Sequence, residues 1–326
     1  MAAIAVLGAG AWGTALANSC ARGGREVVLW GRDADAVRAM EADRENAARL
    51  PGVKLEPGVR CSANLAAALE AELVLAVAPA QSFRALAGAI RAAGGTEAPL
   101  VVCAKGIEEG TGLFLTQVAR EIAPGGPCAI LSGPSFARDV ACGMPTAVVL
   151  AAERIDLARE AAALLSTQSF RVYHSSDVRG VEIGGAAKNV LAIACGIAAG
   201  RKLGASALAA LVARGFAELR RYGAARGARP ETLMGLSGLG DLVLTCGSAQ
   251  SRNFSLGLAL GQGASLAAAR GGKLAEGMFT APVLVETAKA CGVEMPVAEA
   301  VAAVLDQRLG VAEAIERLLA RPLKEE

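Results

Sequence analysis

The sequence predicts an α/β fold in which a doubly wound sheet occupies the N-terminal half and an all-α C-terminal domain follows. The chain has 326 residues, and because a single hydrophobic core stops growing at roughly 250–300 residues, two domains are expected. Short apolar runs alternate with helical segments in the first half, which is typical of a sheet covered by helices on both faces. Beyond about Ser176 strand-like runs disappear, and alanine- and leucine-rich helical patterns take over.

The first strand is predicted directly at the start of the sequence. No basic residue precedes Ile4–Leu7 and a glycine motif follows it at once, so the run is typical of a strand rather than of a signal peptide. Strand–helix alternation then indicates a parallel sheet with right-handed crossovers. The predicted strands are Ile4–Leu7, Val27–Trp30, Leu73–Val77, Leu100–Cys103, Ala129–Leu131, Thr146–Leu150 and Phe170–Tyr173, and the predicted helices are Ala11–Arg22, Asp33–Arg44, Gln81–Arg91, Gly112–Ile122 and Ile155–Leu165.

Glycines and one proline are expected to interrupt the helices of the second half. The change in pattern places the domain boundary between residues 177 and 178, with a sheet domain over residues 1–177 and a helical domain over residues 178–326. The expected helix breaks are Gly200, Gly204, Gly223, Gly227, Pro230, Gly235 and Gly247.

Composition and charge exclude several classes of function. Apolar residues make up 53% of the chain and charged residues 20%, which is a globular composition. No window approaches the ~18–20 continuous strongly apolar residues of a transmembrane helix, so no integral membrane segment is expected. A net charge of +2 and an aromatic content of 3% supply neither the basic face nor the stacking platforms that nucleic-acid binding needs.

Cysteine and histidine usage limits the chemistry further. The eight cysteines contain no C-x-x-C pair and have mostly apolar neighbours, which indicates buried free thiols in a reducing cytoplasm. With His174 as the one histidine, neither a zinc site nor a serine–histidine triad is expected. Proton chemistry is therefore expected from a lysine or a carboxylate.

A glycine motif follows the first predicted strand and opens the first predicted helix. In Gly8-Ala9-Gly10-Ala11-Trp12-Gly13, the first glycine permits a tight turn and Gly10 lets the backbone approach a pyrophosphate. Gly13 allows the helix to pack closely on the strand, and the helix N-terminus offers N–H groups to the phosphates. An ordinary strand–helix turn is the alternative. The context favours a dinucleotide site of Rossmann type over residues 1–177.

Cofactor preference is expected to depend on the tip of the second strand. Arg32 stands near that tip, with Asp33 behind it. An arginine can pair with a ribose 2′-phosphate through two hydrogen bonds, which favours NADPH, or dual use of NADPH and NADH. The alternative is a solvated arginine at the start of a helix.

Four later segments are too polar or too rich in glycine for their surroundings. The first two follow predicted strands, and ligands of open α/β sheets bind beyond the carboxyl ends of the strands. The segments are Cys103–Glu108, Leu131–Ala137, Val181–Val190 and Gly238–Leu242, the last with Ser251-Arg252-Asn253 downstream.

Together these segments make the chain resemble NAD(P)-dependent glycerol-3-phosphate dehydrogenase of the bacterial type. The resemblance covers nearly the whole chain in order: GAGAWGTALA, LWGRD, KGIE, LSGPSFA, SSDVRGVEIGGAAKNV, MGLSGLGDLVLTC, SRNFSLG and EGM. It implies reversible reduction of dihydroxyacetone phosphate to sn-glycerol 3-phosphate, which supplies the backbone of glycerophospholipids. It also implies a substrate-binding and catalytic role for residues 178–326. A homodimer is expected from the apolar helical faces, and the alternative is that these faces form the core.

The resemblance implies roles for three central residues. Lys188 is the acid/base that protonates the developing alkoxide, and burial at an apolar helix start beside Asn189 would suit this role because it lowers a lysine pKa. Lys105 contacts both cofactor and substrate, and a fixed cation stabilises oxyanion character. Asp241 is a substrate-side carboxylate that pairs with Lys188. The alternatives are surface lysines at both positions and a helix N-cap for Asp241.

Further contacts are carried over by the same resemblance. Hydroxyl, guanidinium and amide groups at a helix start would cradle the substrate phosphate, with simple capping as the alternative. Substrate contacts are expected from Gly133, Ser135, Asn189, Ser251, Arg252 and Asn253, and cofactor contacts from Gly8, Gly10, Ala11, Trp12, Gly13, Arg32, Lys105, Ala137, Arg252, Leu274 and Glu276.

The chain departs from the family pattern at two places. The Gly-Asp-Asn expected before one helix is Gly204-Ala205-Ser206, and the expected Tyr-Leu-Pro is Arg49-Leu50-Pro51. Neither change touches the expected catalytic residues. Two other functions stay open: a related hydroxyacid dehydrogenase with an unphosphorylated substrate, and a dinucleotide sensor without turnover.

Overall fold

The computed structural model describes residues 3–123, 125–271 and 274–322. The protein divides into two compact units. The first consists of Met1–Lys105 and Leu113–Val181, and the second of Gly106–Gly112 and Glu182–Glu326. The predicted boundary between residues 177 and 178 stays a prediction.

A sheet of eight strands, counted over the described residues, forms the centre of the first unit. Its spatial order is β3-β2-β1-β4-β5-β6-β7-β8, and all neighbours are parallel except β6 and β7. The strands are β1 Ile4–Leu7, β2 Val27–Trp30, β3 Val59–Ser62, β4 Leu73–Ala76, β5 Leu100–Val102, β6 Cys128–Ser132, β7 Thr146–Ala152 and β8 Phe170–Ser175.

Both faces of the sheet are buried under helices, which explains the continuous apolar runs in the sequence. Ile4 and Val6 of β1 enter one core, whereas Ala5 and Leu7 enter the other, as the alternation of strand side chains requires. The helices of this unit are α1 Ala11–Arg22, α2 Ala34–Asp43, α3 Leu65–Ala68, α4 Phe83–Ala92 with a 3-10 turn Ala80–Ser82 before it, α5 Leu115–Ile122, α6 Ala137–Ala141 and α7 Ile155–Leu165.

Two features of the sheet differ from the sequence prediction. Strand β3 was not predicted, because VRCS alternates buried and partly exposed residues and exposes Arg60 at the sheet edge. The parallel sheet that the alternation predicts has one exception, since β7 runs antiparallel to β6. The chain after β6 contains only the five-residue helix α6, which packs against α1, so β7 starts near the carboxyl end of β6 and runs back antiparallel to it.

The described part of the second unit consists of α-helices and one π-helical turn, Leu236–Gly240, and it contains no β-strand. The helices are α8 Val178–Gly200, whose first residues belong to the first unit, α9 Ala205–Ala225, α10 Pro230–Met234, α11 Asp241–Cys246, α12 Arg252–Gly261, α13 Leu266–Arg270, α14 Gly277–Ala290, α15 Pro296–Leu305 and α16 Val311–Leu319. This confirms the predicted all-α C-terminal domain.

Most of the expected helix breaks lie at helix ends, but one does not. Gly200 ends α8, Gly204 precedes α9 with φ +91°, and Pro230 is the first residue of α10. Gly223 lies inside α9, so its prediction as a break was wrong. A Cβ atom at Gly223 would lie 2.4 Å from Leu233 Cδ1, so packing against α10 explains the glycine.

Helices α8 and α12 contact each other backbone to backbone through glycines. A Cβ atom at Gly196 would lie 2.1 Å from the carbonyl oxygen of Phe254, and one at Gly257 would lie 2.1 Å from that of Ile193. By length and composition α8 could cross a membrane, and it is the one such helix among the described residues. Its most apolar window is, however, 89% buried within the protein.

Candidate active site

The glycine loop between β1 and α1 leaves open space at one position and is closely packed at two others. Gly8 has φ +129°, and a Cβ atom there would lie 2.3 Å from the carbonyl oxygen of Val77. A Cβ atom at Gly13 would lie 1.9 Å from the carbonyl oxygen of Gly8, whereas a Cβ atom at Gly10 would have no atom within 4 Å beyond those of its chain neighbours. The space above Gly10, at the start of the twelve-residue helix α1, fits the pyrophosphate of a dinucleotide. Ala11 and Trp12 are half-buried in the first turn of α1.

A buried asparagine that the sequence analysis missed holds this loop. Asn46 Nδ2 donates to the carbonyl oxygen of Ala9 at 3.0 Å and to Thr14 Oγ1 at 2.8 Å. Thr14 Oγ1 in turn donates to the carbonyl oxygen of Gly10 at 2.9 Å. No local pattern connects Asn46 with a loop 37 residues earlier, so only the fold reveals it.

The tip of β2 presents Arg32 to solvent. Asp33 Oδ1 accepts hydrogen bonds from the backbone N–H groups of Asp35 at 3.0 Å and Ala36 at 3.1 Å, so this oxygen caps α2. Arg32 is exposed, which leaves its guanidinium accessible to a ribose 2′ substituent.

The ends of β5 and β6 bring the first two polar segments together. Lys105 Nζ donates to the carbonyl oxygen of Gly133 at 2.9 Å, and Ser135 Oγ donates to the same oxygen at 3.0 Å. Gly133 has φ +148°, and a Cβ atom there would lie 2.8 Å from the Cα atom of Val148. Lys105 is half-buried rather than a surface loop lysine. Ala137 is the half-buried first residue of α6.

A buried cluster of lysine, carboxylate and hydroxyl lies in the second unit. Lys188 Nζ donates to Asp241 Oδ1 at 2.5 Å and to Thr245 Oγ1 at 2.7 Å, and Thr245 Oγ1 donates to Asp241 Oδ1 at 3.3 Å. The three residues are at most 6% exposed. The surface alternative for Lys188 is therefore wrong, and so is its expected place at a helix start, because it lies in the middle of α8.

The π-helical turn before α11 positions Asp241. A Cβ atom at Gly238 would lie 2.0 Å from the carbonyl oxygen of Leu233, and one at Gly184 would lie 2.5 Å from that of Ser237. Gly184 stands one helical turn before Lys188 on α8, so these contacts hold the start of α11 against the lysine. The N-cap of α11 is Gly240 and Asp241 is the first residue of the helix, which contradicts the N-cap alternative. π-Helical turns occur frequently at functional sites.

Thr245 was missed by the sequence analysis. It lies one turn after Asp241 on α11, so the helical spacing i, i+4 within GDLVLT could have indicated it.

The segment Ser251-Arg252-Asn253 starts α12. Ser251 Oγ accepts from the backbone N–H of Phe254 at 3.2 Å, so the capping role of Ser251 is confirmed. Arg252 is exposed. Asn253 is buried, and it donates from Nδ2 to Asn189 Oδ1 at 2.9 Å while Oδ1 accepts from the backbone N–H of Gly277 at 2.9 Å.

Leu274 and Glu276, which are expected to contact the cofactor, lie just before α14 and are half-buried. Lys273, which precedes them, is outside the described residues.

The cysteines, all of which are described, are free thiols. Five are buried, but Cys142 is exposed, so the expectation of burial was wrong for it. Burial raises the pKa of the Cys20 thiol to about 12. Over the three described ranges, no group of three or more His, Cys, Asp or Glu residues is placed to hold a metal ion.

These features define a class of protein. A doubly wound sheet with an open glycine loop, followed by helices that bury a lysine–carboxylate pair, is typical of an NAD(P)-dependent dehydrogenase. Comparison with known proteins gives the particular family. The family model for the N-terminus of NAD-dependent glycerol-3-phosphate dehydrogenase matches residues 3–158, and that for its C-terminus matches residues 177–316. The chain belongs to this family.

Individual relatives agree with this assignment. The chain is 61% identical over 323 residues to a glycerol-3-phosphate dehydrogenase (NAD(P)+) of Azorhizobium caulinodans, covering 99% of this chain and 98% of the relative. It is 58% identical over 323 residues to one of Bradyrhizobium diazoefficiens, with the same coverage. The crystal structure of glycerol-3-phosphate dehydrogenase from Coxiella burnetii has a TM-score of 0.92 and 39% identity, and covers 98% of each chain. The protein is therefore an oxidoreductase that uses NAD or NADP, as the sequence predicted.

Proposed function

We propose that the protein reduces dihydroxyacetone phosphate to sn-glycerol 3-phosphate, reversibly, and so feeds glycerophospholipid synthesis. The observation that carries the proposal is the buried cluster of Lys188, Asp241 and Thr245. It holds a proton donor where water is excluded, as reduction of a carbonyl requires. Family membership supports the choice of a phosphorylated triose, since the relatives' name states glycerol 3-phosphate.

Lys188 is the general acid of the proposed reaction. A nicotinamide cofactor bound at the glycine loop would supply the hydride that the carbonyl carbon of the substrate accepts. As the new C–H bond forms, Lys188 Nζ gives a proton to the carbonyl oxygen, which becomes the hydroxyl of the product. In the reverse direction Nζ takes that proton back. Asp241 and Thr245 orient Nζ through hydrogen bonds of 2.5 and 2.7 Å, and the carboxylate compensates the buried charge.

Lys105 is a second cation that we assign to the proposed reaction. Its hydrogen bond to the carbonyl oxygen of Gly133 fixes Nζ next to Ser135, which shares the same acceptor. A preorganised cation stabilises negative charge on the carbonyl oxygen of the substrate without reorganisation cost. Gly133 and Ser135 then contact the substrate, and Ala137 contacts the cofactor.

The start of α12 is the proposed phosphate site. The helix has ten residues, and its first N–H groups have no acceptor within the helix. Arg252 adds an exposed guanidinium at the same end, so charge and backbone donors together favour a phosphate dianion. Ser251 contributes by fixing the first turn.

We assign the dinucleotide to residues 1–177, with Arg32 favouring NADPH over NADH, and the catalytic part to residues 178–326. Free cysteines support a reducing, cytoplasmic location. The exposed apolar side chains of Met234 and Val243 support a homodimer, because they offer surface to a second copy.

The test follows the absorbance of NADPH, and then of NADH, after dihydroxyacetone phosphate is added to the purified protein. Oxidation is expected with the phosphorylated triose and not with dihydroxyacetone. Turnover of an unphosphorylated hydroxy or keto acid alone would contradict the phosphate site. Cofactor binding without any turnover would favour the sensor function.

A further inference from the structure

A chain of buried amide hydrogen bonds connects three helices of the second unit. The backbone N–H of Gly277, the first residue of α14, donates to Asn253 Oδ1 at 2.9 Å. Asn253, the second residue of α12, donates from Nδ2 to Asn189 Oδ1 of α8 at 2.9 Å. Asn189 and Asn253 are 5% and 7% exposed, so both bonds are shielded from water.

The direction of every bond in this amide chain is fixed by chemistry. A backbone N–H can only donate, so the atom of Asn253 that faces Gly277 must be Oδ1. Nδ2 of Asn253 therefore faces Asn189, and its partner there must be Oδ1. The two N–H bonds of Asn189 Nδ2 consequently point away from Asn253. Asn189 is thus held with its side-chain N–H groups directed away from Asn253. It follows Lys188 directly in the sequence.

The start of α14 also packs directly on α8. A Cβ atom at Gly277 would lie 2.6 Å from the carbonyl oxygen of Asn189 and 2.8 Å from Ile193 Cδ1. Only glycine fits this approach. A shift of α14 at its first turn must therefore move Asn189 or break the bond to Asn253, because close-packed interiors transmit displacement.

The two ends of the amide chain adjoin residues with different expected partners. Leu274 and Glu276 precede Gly277 and are expected to contact the cofactor, while Asn189 is expected to contact the substrate. We infer that Asn253 is a positioning residue that couples the cofactor-side segment Leu274–Glu276 to the donor groups of Asn189. This inference rests on the proposed function. It assigns Asn253 to the orientation of Asn189, in place of the direct substrate contact that the resemblance implies.

A double-mutant cycle on the full-length enzyme tests whether Asn253 affects substrate binding through Asn189. Asn189→Ala and Asn253→Ala should each raise the KM for dihydroxyacetone phosphate about tenfold and change kcat less than about threefold. The double variant should show no larger KM than Asn189→Ala alone, because Asn253 acts through Asn189. If the two factors multiply in the double variant, Asn253 contacts the substrate itself and the inference is wrong.

Titration with NADPH, followed by its fluorescence, tests without turnover whether Asn253 affects cofactor binding. Asn253→Ala should raise the Kd of NADPH about fivefold, because the Gly277 N–H loses its acceptor. Asn253→Asp keeps an acceptor for that N–H but no donor for Asn189, so it should restore the Kd while the KM stays high. An unchanged Kd in Asn253→Ala would overturn the coupling.

Ser255→Ala is the matched control on the same helix. It removes the hydrogen bond from Ser255 Oγ to the carbonyl oxygen of Ala249 and touches neither end of the amide chain, so both constants should match wild type. If Asn253→Ala does not fold, Asn253→Ser takes its place, because a serine is too short to span both partners. Wild-type protein that binds NADPH but does not reduce dihydroxyacetone phosphate would contradict the proposed function alone, since the Kd comparison still tests the coupling to Gly277.

Discussion

The glycine loop of the first unit and the lysine cluster of the second prepare for function by different physical means. In the loop, the important property is a missing side chain. A Cβ atom at Gly10 would have open space around it to 4 Å, whereas Gly8 and Gly13 allow backbone contacts closer than any Cβ atom permits. In the cluster, the important property is enclosed charge, since Asp241 is 0% and Lys188 6% exposed. A loop of that kind binds by shape and backbone donors, whereas enclosed charge can move a proton.

The two regions also differ in how far apart their residues stand in the chain. The glycine loop is six consecutive residues. Lys188 stands 53 residues before Asp241 and 57 before Thr245. Changes in the loop should therefore act locally, and changes in the cluster should depend on how several helices pack.

Removal of the buried lysine should have the largest effect. Lys188→Ala should lower kcat by roughly 10²–10⁴-fold, because the general acid is lost. The Kd of NADPH should stay close to wild type, since the glycine loop is unchanged. Steady-state kinetics and fluorescence titration measure both. Lys289→Ala, at an exposed position of α14, is the control for loss of one positive charge. A kcat near wild type would remove Lys188 from the mechanism.

Replacing one glycine of each region by alanine should affect stability in one case and cofactor binding in the other. Gly238→Ala should lower the free energy of unfolding by about 3 kcal/mol, because its Cβ atom would overlap the carbonyl oxygen of Leu233. Gly10→Ala should leave stability unchanged within about 1 kcal/mol but weaken NADPH binding about tenfold or more, by filling the space for the pyrophosphate. Denaturant unfolding and NADPH titration distinguish the two. Equal stability of both variants would show that the packing contact at Gly238 is unimportant.

A second buried charge, away from the lysine cluster, should give stability a pH dependence. Glu218 is 2% exposed, and its carboxylate accepts from the backbone N–H groups of Val297 at 2.8 Å and Ala298 at 3.3 Å. The pKa of Glu218 is raised from 4.5 to about 7. Burial is the largest cause and nearby Glu299 adds to the rise, while those N–H groups and Arg221 oppose it.

Because the pKa is higher in the folded state, the stabilising contribution of Glu218 is fully present below about pH 4.5. It is lost as the pH rises through about 7. The shift corresponds to about 3 kcal/mol. Glu218→Gln should remove this dependence, so the difference in unfolding free energy between wild type and variant should change by about that amount between pH 4.5 and 8. A constant difference would contradict the raised pKa.

Removal of the exposed charge of Arg32, in the first unit, should have the smallest effect. Arg32→Ala should raise the KM for NADPH about tenfold and leave the KM for NADH almost unchanged, because only NADPH carries the 2′-phosphate. Arg60→Ala removes another exposed charge of the first unit and should change neither constant. Equal effects on the two cofactors would show that Arg32 is simply solvated.

The sequence predicted what depends on short spacing and failed where distant segments meet. Strand β1, its glycine loop and α1 were predicted because one apolar run and six residues define them. Strand β3 was missed because an edge strand has a weak apolar signal. The direction of β7 was missed because it depends on where α6 packs.

The same rule holds for the candidate site. The family motifs contain Lys188 and Asp241, but neither motif shows that the two are buried together. Asn46 and the Gly277–Asn253–Asn189 chain have no local signature at all, since their partners are 24 to 64 residues apart. Burial and hydrogen-bond direction are properties of the packed helices, so they became visible only in the structure.

The glycine contact between α8 and α12 has a consequence for how the chain is made. Helix α8 is complete at Gly200, but its partner surface is complete only at Gly261. At roughly 5–20 residues per second, synthesis takes about 3–12 s to cover that interval. For those seconds the glycine face of α8 lacks the helix that covers it in the folded protein. The segment that bears Lys188 therefore exposes part of its surface during synthesis, and transiently exposed apolar surface is what chaperones bind.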